Sequence, residues 1–176
     1  MNRPQRQALA LLLGNAILCM VVAQINHGLS GWQLHLWPGG LLVAPAALQA
    51  GLGAGVVAVL AAGLALDAVA PVPFGTHAYV LLAGHAVLFS LRLRLARKAT
   101  PVRVVMALLA CGTTLLTFAV AVAGLGFAHA GAGRLLADLG MSLVATGLVA
   151  PWFFALQGRL LDLAQAGLRA EERWLD

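Results

Sequence analysis

Acidic side chains are scarce in this chain, which excludes most acid–base chemistry. Only 6 of its 176 residues are Asp or Glu, and Asp67 is the only acidic residue between Met1 and Ala137. General acid–base catalysis by paired carboxylates needs two such groups within reach of each other. No second carboxylate lies near Asp67 in the sequence. A proton relay or an acid–base pair is therefore not expected.

Nucleophiles and cofactor motifs are also scarce. Serine occurs only three times, and none has a basic neighbour placed to activate it: Ser30, Ser90 and Ser142. The patterns of serine hydrolases, zinc peptidases, phosphate-binding loops and dinucleotide turns are absent. Cys19 and Cys111 lie in apolar runs without the spacing of a metal or redox motif. We expect no enzyme activity and no cofactor.

Apolar residues dominate the composition of the chain. The chain is 61% hydrophobic and 10% charged, whereas a soluble domain is about half apolar and about a quarter charged. The net charge of +5 lies in short connections and tails between apolar runs, which is the placement of orientation signals and argues against nucleic acid. This composition predicts a multi-pass membrane protein in contact with the lipid bilayer.

Glycine and proline divide the apolar sequence into an all-α bundle of about six transmembrane helices. Pro45 and the glycines at 51, 53 and 55 split a long apolar run, so the second helix is short enough to span only part of the bilayer. We expect Pro101 to stop the fourth helical segment and Pro151 to kink the sixth helix. The predicted helices are 7–25, 40–49, 53–69, 76–91, 104–127 and 135–156. Residues 1–157 form one membrane domain, and 158–176 form an interfacial amphipathic tail.

Basic residues set the orientation. With six spans and a cytoplasmic N-terminus, ten of the 11 Lys and Arg residues fall on the inner side, and only Arg134 falls outside. Both termini are then cytoplasmic, and the first helix is retained as an uncleaved span. The loops at 27–38 and 129–134 face outwards, with Trp32 and Trp37 suited to the headgroup level. The break that follows Asp67 also faces outwards.

The segment 63–75 carries the main candidate site. An apolar helix runs into Asp67, breaks at Pro71 and Pro73, and a new helix starts after Gly75. An ionisable residue in a membrane segment is a functional candidate by default. The alternative is structural, with the carboxylate accepting hydrogen bonds from backbone N–H groups near Gly75 and Thr76. We favour the structural role, as a hinge between the third and fourth helices.

The sequence contains three further sets of candidate site residues, each weaker than Asp67. His27, His35 and His77 face outwards and could bind a transition metal, but they lack the spacing of a helical metal pair. Small residues such as Gly51 and Gly55 favour close helix packing, either within the bundle or against a partner. The basic cytoplasmic loop contacts anionic lipid or an acidic partner, with the lipid role favoured. That loop contains Arg92, Arg94, Arg97, Lys98 and Arg103.

The segment around Asp67 resembles a known family. Gly63, then Asp67 four residues later, a short break, and Phe74-Gly75 before an apolar helix resemble the central signature of the rod shape-determining protein MreD family. Trp37-Pro38 resembles that family's entry to its second helix. Pro151 and Trp152, followed by two Phe residues, resemble its final-helix pattern.

The resemblance implies a function. Such a chain would be a non-enzymatic, multi-pass protein of the bacterial inner membrane that helps organise lateral peptidoglycan synthesis. Its implied partners are an MreC-like bitopic membrane protein, the actin-like MreB filament and peptidoglycan synthases. Its implied fold is that of the substrate-binding subunits of energy-coupling-factor transporters. The alternative function is therefore a vitamin or metal transport subunit, with an outer pocket formed by His27, His35, His77, Trp32 and Trp37.

Overall fold

The computed structural model describes residues 2–92, 99–124 and 131–172. This part of the chain contains six α-helices, one short 3₁₀ turn at Ser30–Trp32, and no strand. The helices are α1 (Arg3–Leu29), α2 (Gly39–Gln49), α3 (Leu52–Asp67), α4 (Thr76–Leu91), α5 (Thr100–Gly124) and α6 (Ala132–Glu172). The all-α prediction is confirmed.

Helix α2 lies at the centre of the bundle. Every residue from Gly39 to Leu48 is buried, as expected for a helix that is apolar on all sides. The other five helices surround it in a closed ring, in the order α1, α3, α4, α5, α6 and back to α1. Its 11 residues span only about 16 Å at 1.5 Å per residue. The short second helix is therefore an inner core element, shielded from lipid by its neighbours.

Among the described residues, three helices are long and apolar enough to cross a membrane: α1, α5 and α6. This is fewer than the six expected, because the chain breaks shorten the others. Gly51 is the N-cap of α3 and the turn after Asp67 ends it, so that α3 and α4 have 16 residues each. Such helices are about 24 Å long, against about 30 Å for the hydrocarbon core.

Two predicted helix boundaries were wrong: the end of the sixth helix at 156 and the start of the fifth helix at 104. Helix α6 continues without interruption through Gly158 to Glu172, so the tail does not begin with a separate helix. Its 41 residues span about 60 Å, about twice the hydrocarbon thickness. Helix α5 begins at Thr100, so that Pro101 lies in its first turn, where a backbone N–H would have no intrahelical partner and its loss costs nothing. The predicted end of the fifth helix and the start of the loop at 129–134 lie outside the described residues.

Glycines bring the inner helices into contact. At Gly63, an added Cβ would overlap the backbone of Ala78, which places α3 directly against α4. At Gly55, it would lie 2.6 Å from Cε1 of His85. Gly51 makes no comparable approach. The predicted small-residue packing is therefore found inside the bundle at Gly55 and Gly63, whereas Gly51 only begins a helix.

Candidate functional site

The Asp67 carboxylate joins the end of α3 to the start of α4. Its Oδ2 accepts hydrogen bonds from the backbone N–H groups of Gly75 at 3.0 Å and Ala78 at 3.2 Å. Its Oδ1 accepts one from the backbone N–H of His77 at 2.9 Å. These are donors that the start of a helix leaves without an intrahelical partner. This is the capping arrangement that we favoured from the sequence.

His77 adds a fourth bond that the sequence did not reveal. Its Nδ1 lies 2.8 Å from Oδ1 of Asp67, and both side chains are buried. Because an ionised carboxylate only accepts hydrogen bonds, Nδ1 carries the proton in this pair. The predicted metal-site candidate His77 is therefore held by Asp67. Their separation of ten residues matches no helical contact spacing, and the contact depends on the turn between α3 and α4.

An aromatic cluster surrounds His77. Its ring centroid lies 5.5 Å from that of Trp37 and 4.4 Å from that of Phe118. Trp37 is 2% exposed, donates from Nε1 to Oγ1 of Thr114 at 2.9 Å, and donates from its backbone N–H to Oγ of Ser142 at 2.9 Å. Trp37 thus ties the entry of α2 to α5 and α6. It does not lie at the surface as predicted, whereas Trp32 is 79% exposed.

The other two candidate metal ligands are not buried with His77. His27 and His35 are exposed, and the backbone N–H of His35 donates to Oδ1 of Asp138 at 2.8 Å. Partial desolvation by nearby protein lowers the pKa of His35 below its usual value, and the Asp138 carboxylate opposes that shift. Within the described ranges, no group of three or more His, Cys, Asp or Glu side chains is placed to hold a metal ion.

The remaining signature residues shape the turn. Gly75 has φ +99°, a left-handed conformation that glycine adopts without a steric penalty. Phe74, beside it, is 71% exposed, and Pro71 lies at the surface of the same turn. On α6, Pro151 is inside the helix and Trp152 is 79% exposed. Phe74 and Trp152 therefore face away from the bundle.

The side chain of Arg92 reaches the C-terminal end of α2. Its Nη1 donates to the backbone oxygens of Ala50 at 2.9 Å and Ala47 at 3.4 Å. Its guanidinium lies 3.5 Å from the Phe89 ring centroid. Arg92 therefore caps the C-terminal end of α2, where a cation also complements the helix dipole, and the lipid or partner contact of the basic loop stays a prediction. Arg94, Arg97 and Lys98 lie outside the described residues.

Three further polar side chains are buried in the bundle and were not among the predicted site residues: Asn15, His85 and Gln157. Nε2 of Gln157 donates to Oδ1 of Asn15 at 3.2 Å, which links α6 to α1. His85 is 1% exposed, and neither ring nitrogen has a hydrogen-bond partner among the described residues. A polar residue within an apolar helix was the available signal. The contact between Gln157 and Asn15 joins two helices, and the pair formed by Asp67 and His77 remains the best-defined polar site.

Comparisons with protein-family models, with curated proteins and with solved structures found no match.

Proposed function

We propose that this chain is a non-enzymatic, multi-pass component of the bacterial inner membrane that acts in the cell-elongation machinery. The observation that carries this proposal is the geometry of the segment 63–75, which is also the segment that resembles the MreD signature. It forms a rigid joint between two helices, with the Asp67 carboxylate bonded to four N–H groups. A carboxylate whose oxygens already accept four hydrogen bonds suits a structural role.

The topology belongs to the same proposal. Six membrane-embedded helices, with both termini in the cytoplasm, would place α2 inside the bundle and α3 and α4 in a locally thinned or tilted arrangement. A short helix surrounded by five others is compatible with the fold of energy-coupling-factor substrate-binding subunits. The positive-inside distribution of Lys and Arg supports the orientation.

Two apolar stripes provide surfaces for a membrane partner. On α6, Val144, Leu148 and Trp152 are exposed at a spacing of four residues, which places them on one face. On α1, Leu9, Leu13 and Ile17 form a similar exposed stripe. In lipid, helices associate through close packing along such faces. The α6 stripe includes the Trp that belongs to the resemblance, so we assign it to the MreC-like bitopic partner.

Co-purification with that partner tests the proposal. A tagged chain, expressed with an MreC-like bitopic protein, should retain it in mild detergent. The double variant Leu148→Ala/Trp152→Ala should reduce recovery several-fold without lowering the melting temperature. The matched control is Leu116→Ala/Val120→Ala, which removes exposed apolar side chains from α5 and should leave recovery unchanged.

Two results would overturn the proposal. One is failure of the wild-type chain to retain the bitopic protein under conditions in which both are folded. The other is tight binding of a vitamin or of a nickel or cobalt ion by the purified chain alone, which would favour the transport subunit.

A further inference from the structure

A polar cleft opens at the end of α2, between the start of α5 and the second half of α6. Its volume is about 420 Å³, within the ~300–1,000 Å³ range of small-molecule sites. The lining contains two amides, a carboxylate, a guanidinium and two leucines, and we call it the inner cleft. Its polar residues are Gln49, Arg103, Asp162 and Gln165, and its apolar wall contains Leu48 and Leu161.

Gln49 leaves an acceptor without a donor beside this cleft. Its Nε2 donates to the backbone oxygen of Phe154 at 3.1 Å. That bond sets the orientation of the amide, because the reversed amide would place two oxygens against each other. Its Oε1 is then buried with no partner among the described residues. An unpaired buried acceptor costs about 1–3 kcal/mol, and a donor from a ligand in the adjoining cleft would offset that cost.

The charges of the inner cleft have both signs. Asp162 is exposed on α6, and the unpartnered Oε1 of Gln49 lies at the same cleft. Both favour a bound cation with N–H donors. Arg103, whose guanidinium lies 5.9 Å from the Phe154 ring centroid, provides N–H donors for an anion. A ligand with an ammonium and a phosphate a few bonds apart therefore matches the lining.

The position of the inner cleft points to a lipid. Asp162 lies four residues before Ala166, the end of the apolar span of α6, and Leu48 and Leu161 belong to the buried apolar core of the bundle. The end of an apolar span is where we expect lipid headgroups to meet the edge of the hydrocarbon core. We propose that the inner cleft binds the headgroup of phosphatidylethanolamine, with its ammonium near Asp162 and Gln49 and its phosphate near Arg103. This inference is independent of the elongation role.

Lipid-dependent thermal stability tests the proposal. The full chain in detergent is titrated with ethanolamine, choline and glycerol phospholipids that share the same acyl chains. Ethanolamine lipid should raise the melting temperature the most, because a choline headgroup has no N–H donor and a glycerol headgroup has no cation. Soluble phosphoethanolamine should produce a smaller shift at equal concentration, since it lacks the acyl chains.

Two variants assign the effect to the inner cleft. Asp162→Asn, at an exposed position, and Gln49→Met should each abolish the difference between ethanolamine and choline lipids. Asp138→Asn, at the opposite end of α6, removes one negative charge elsewhere and should retain that difference. Equal shifts with ethanolamine and choline, a larger shift with the glycerol lipid, or a difference that survives Asp162→Asn would each overturn the proposal. An equal shift with soluble phosphoethanolamine would overturn the assignment to a lipid.

Discussion

Replacing Asp67 tests whether the joint between α3 and α4 holds the bundle together. In Asp67→Ala, three buried donors lose their acceptor: the backbone N–H groups of His77 and Ala78, and Nδ1 of His77. Gly75 loses a bond at a partly buried site, where water can replace it. Each unsatisfied buried donor costs about 1–3 kcal/mol. We therefore expect a loss of about 3 kcal/mol or more in the free energy of unfolding.

Asp67→Asn refines the same test. An amide oxygen can still accept from the two donors of His77, but its NH₂ group then faces the N–H groups of Gly75 and Ala78. Because one side of the joint is kept, we expect Asn to destabilise less than Ala. At about 2–4 °C per kcal/mol for a chain of this size, Asp67→Ala should lower the melting temperature by about 6–12 °C.

The chain carries its own reporter for this measurement. Cys111 is fully buried in α5, so a thiol-reactive dye labels it only after unfolding. Changing the half-buried Cys19 to Ala leaves Cys111 as the single reporter. Val69→Ala, which shortens a side chain that is 82% exposed in the turn after Asp67, is the control and should shift the midpoint by no more than about 2 °C. A midpoint for Asp67→Ala within that range would refute the capping argument.

Four further substitutions can be measured with the same assay. Gly63→Ala should destabilise by about 1–3 kcal/mol, since its Cβ would overlap the α4 backbone, whereas Gly53→Ala meets open space and should be neutral or stabilising by up to about 1 kcal/mol. Arg92→Gln removes the cap on α2 and should cost about 1–3 kcal/mol; an unchanged midpoint would return Arg92 to a surface role. Trp37→Phe keeps an aromatic ring but loses the bond to Thr114, and should cost about 1 kcal/mol.

Local features of the sequence were sufficient for part of this structure. The apolar composition required helices, and the glycine and proline residues between them marked α2 and α4 to within one residue. The role of Asp67 as a cap was also predictable, because the backbone N–H groups that donate to its carboxylate lie only 8 to 11 residues further along the chain. These are short-range effects of backbone geometry and of unsatisfied helix ends.

Other features required the packed structure. A run of good helix formers continues past Gly158, so α6 continues where composition suggested a change. Arg92 was indistinguishable in sequence from its basic neighbours, and only the approach of α2 provides its acceptors, 42 and 45 residues away. A charge pattern describes the side of the membrane on which a residue lies. It does not describe which carbonyl groups are within reach of that residue.

The sequence by itself determined a helical membrane-type chain, its main break after Asp67, and the scarcity of groups for catalysis. Only the tertiary structure decided that α2 is the centre, that His77 pairs with Asp67, and that Trp37 is buried. The reason is distance along the chain. Trp37 finds its partners on α5 and α6, which lie 77 and 105 residues further on. No local pattern records such contacts, which arise when the ring of five helices closes around α2.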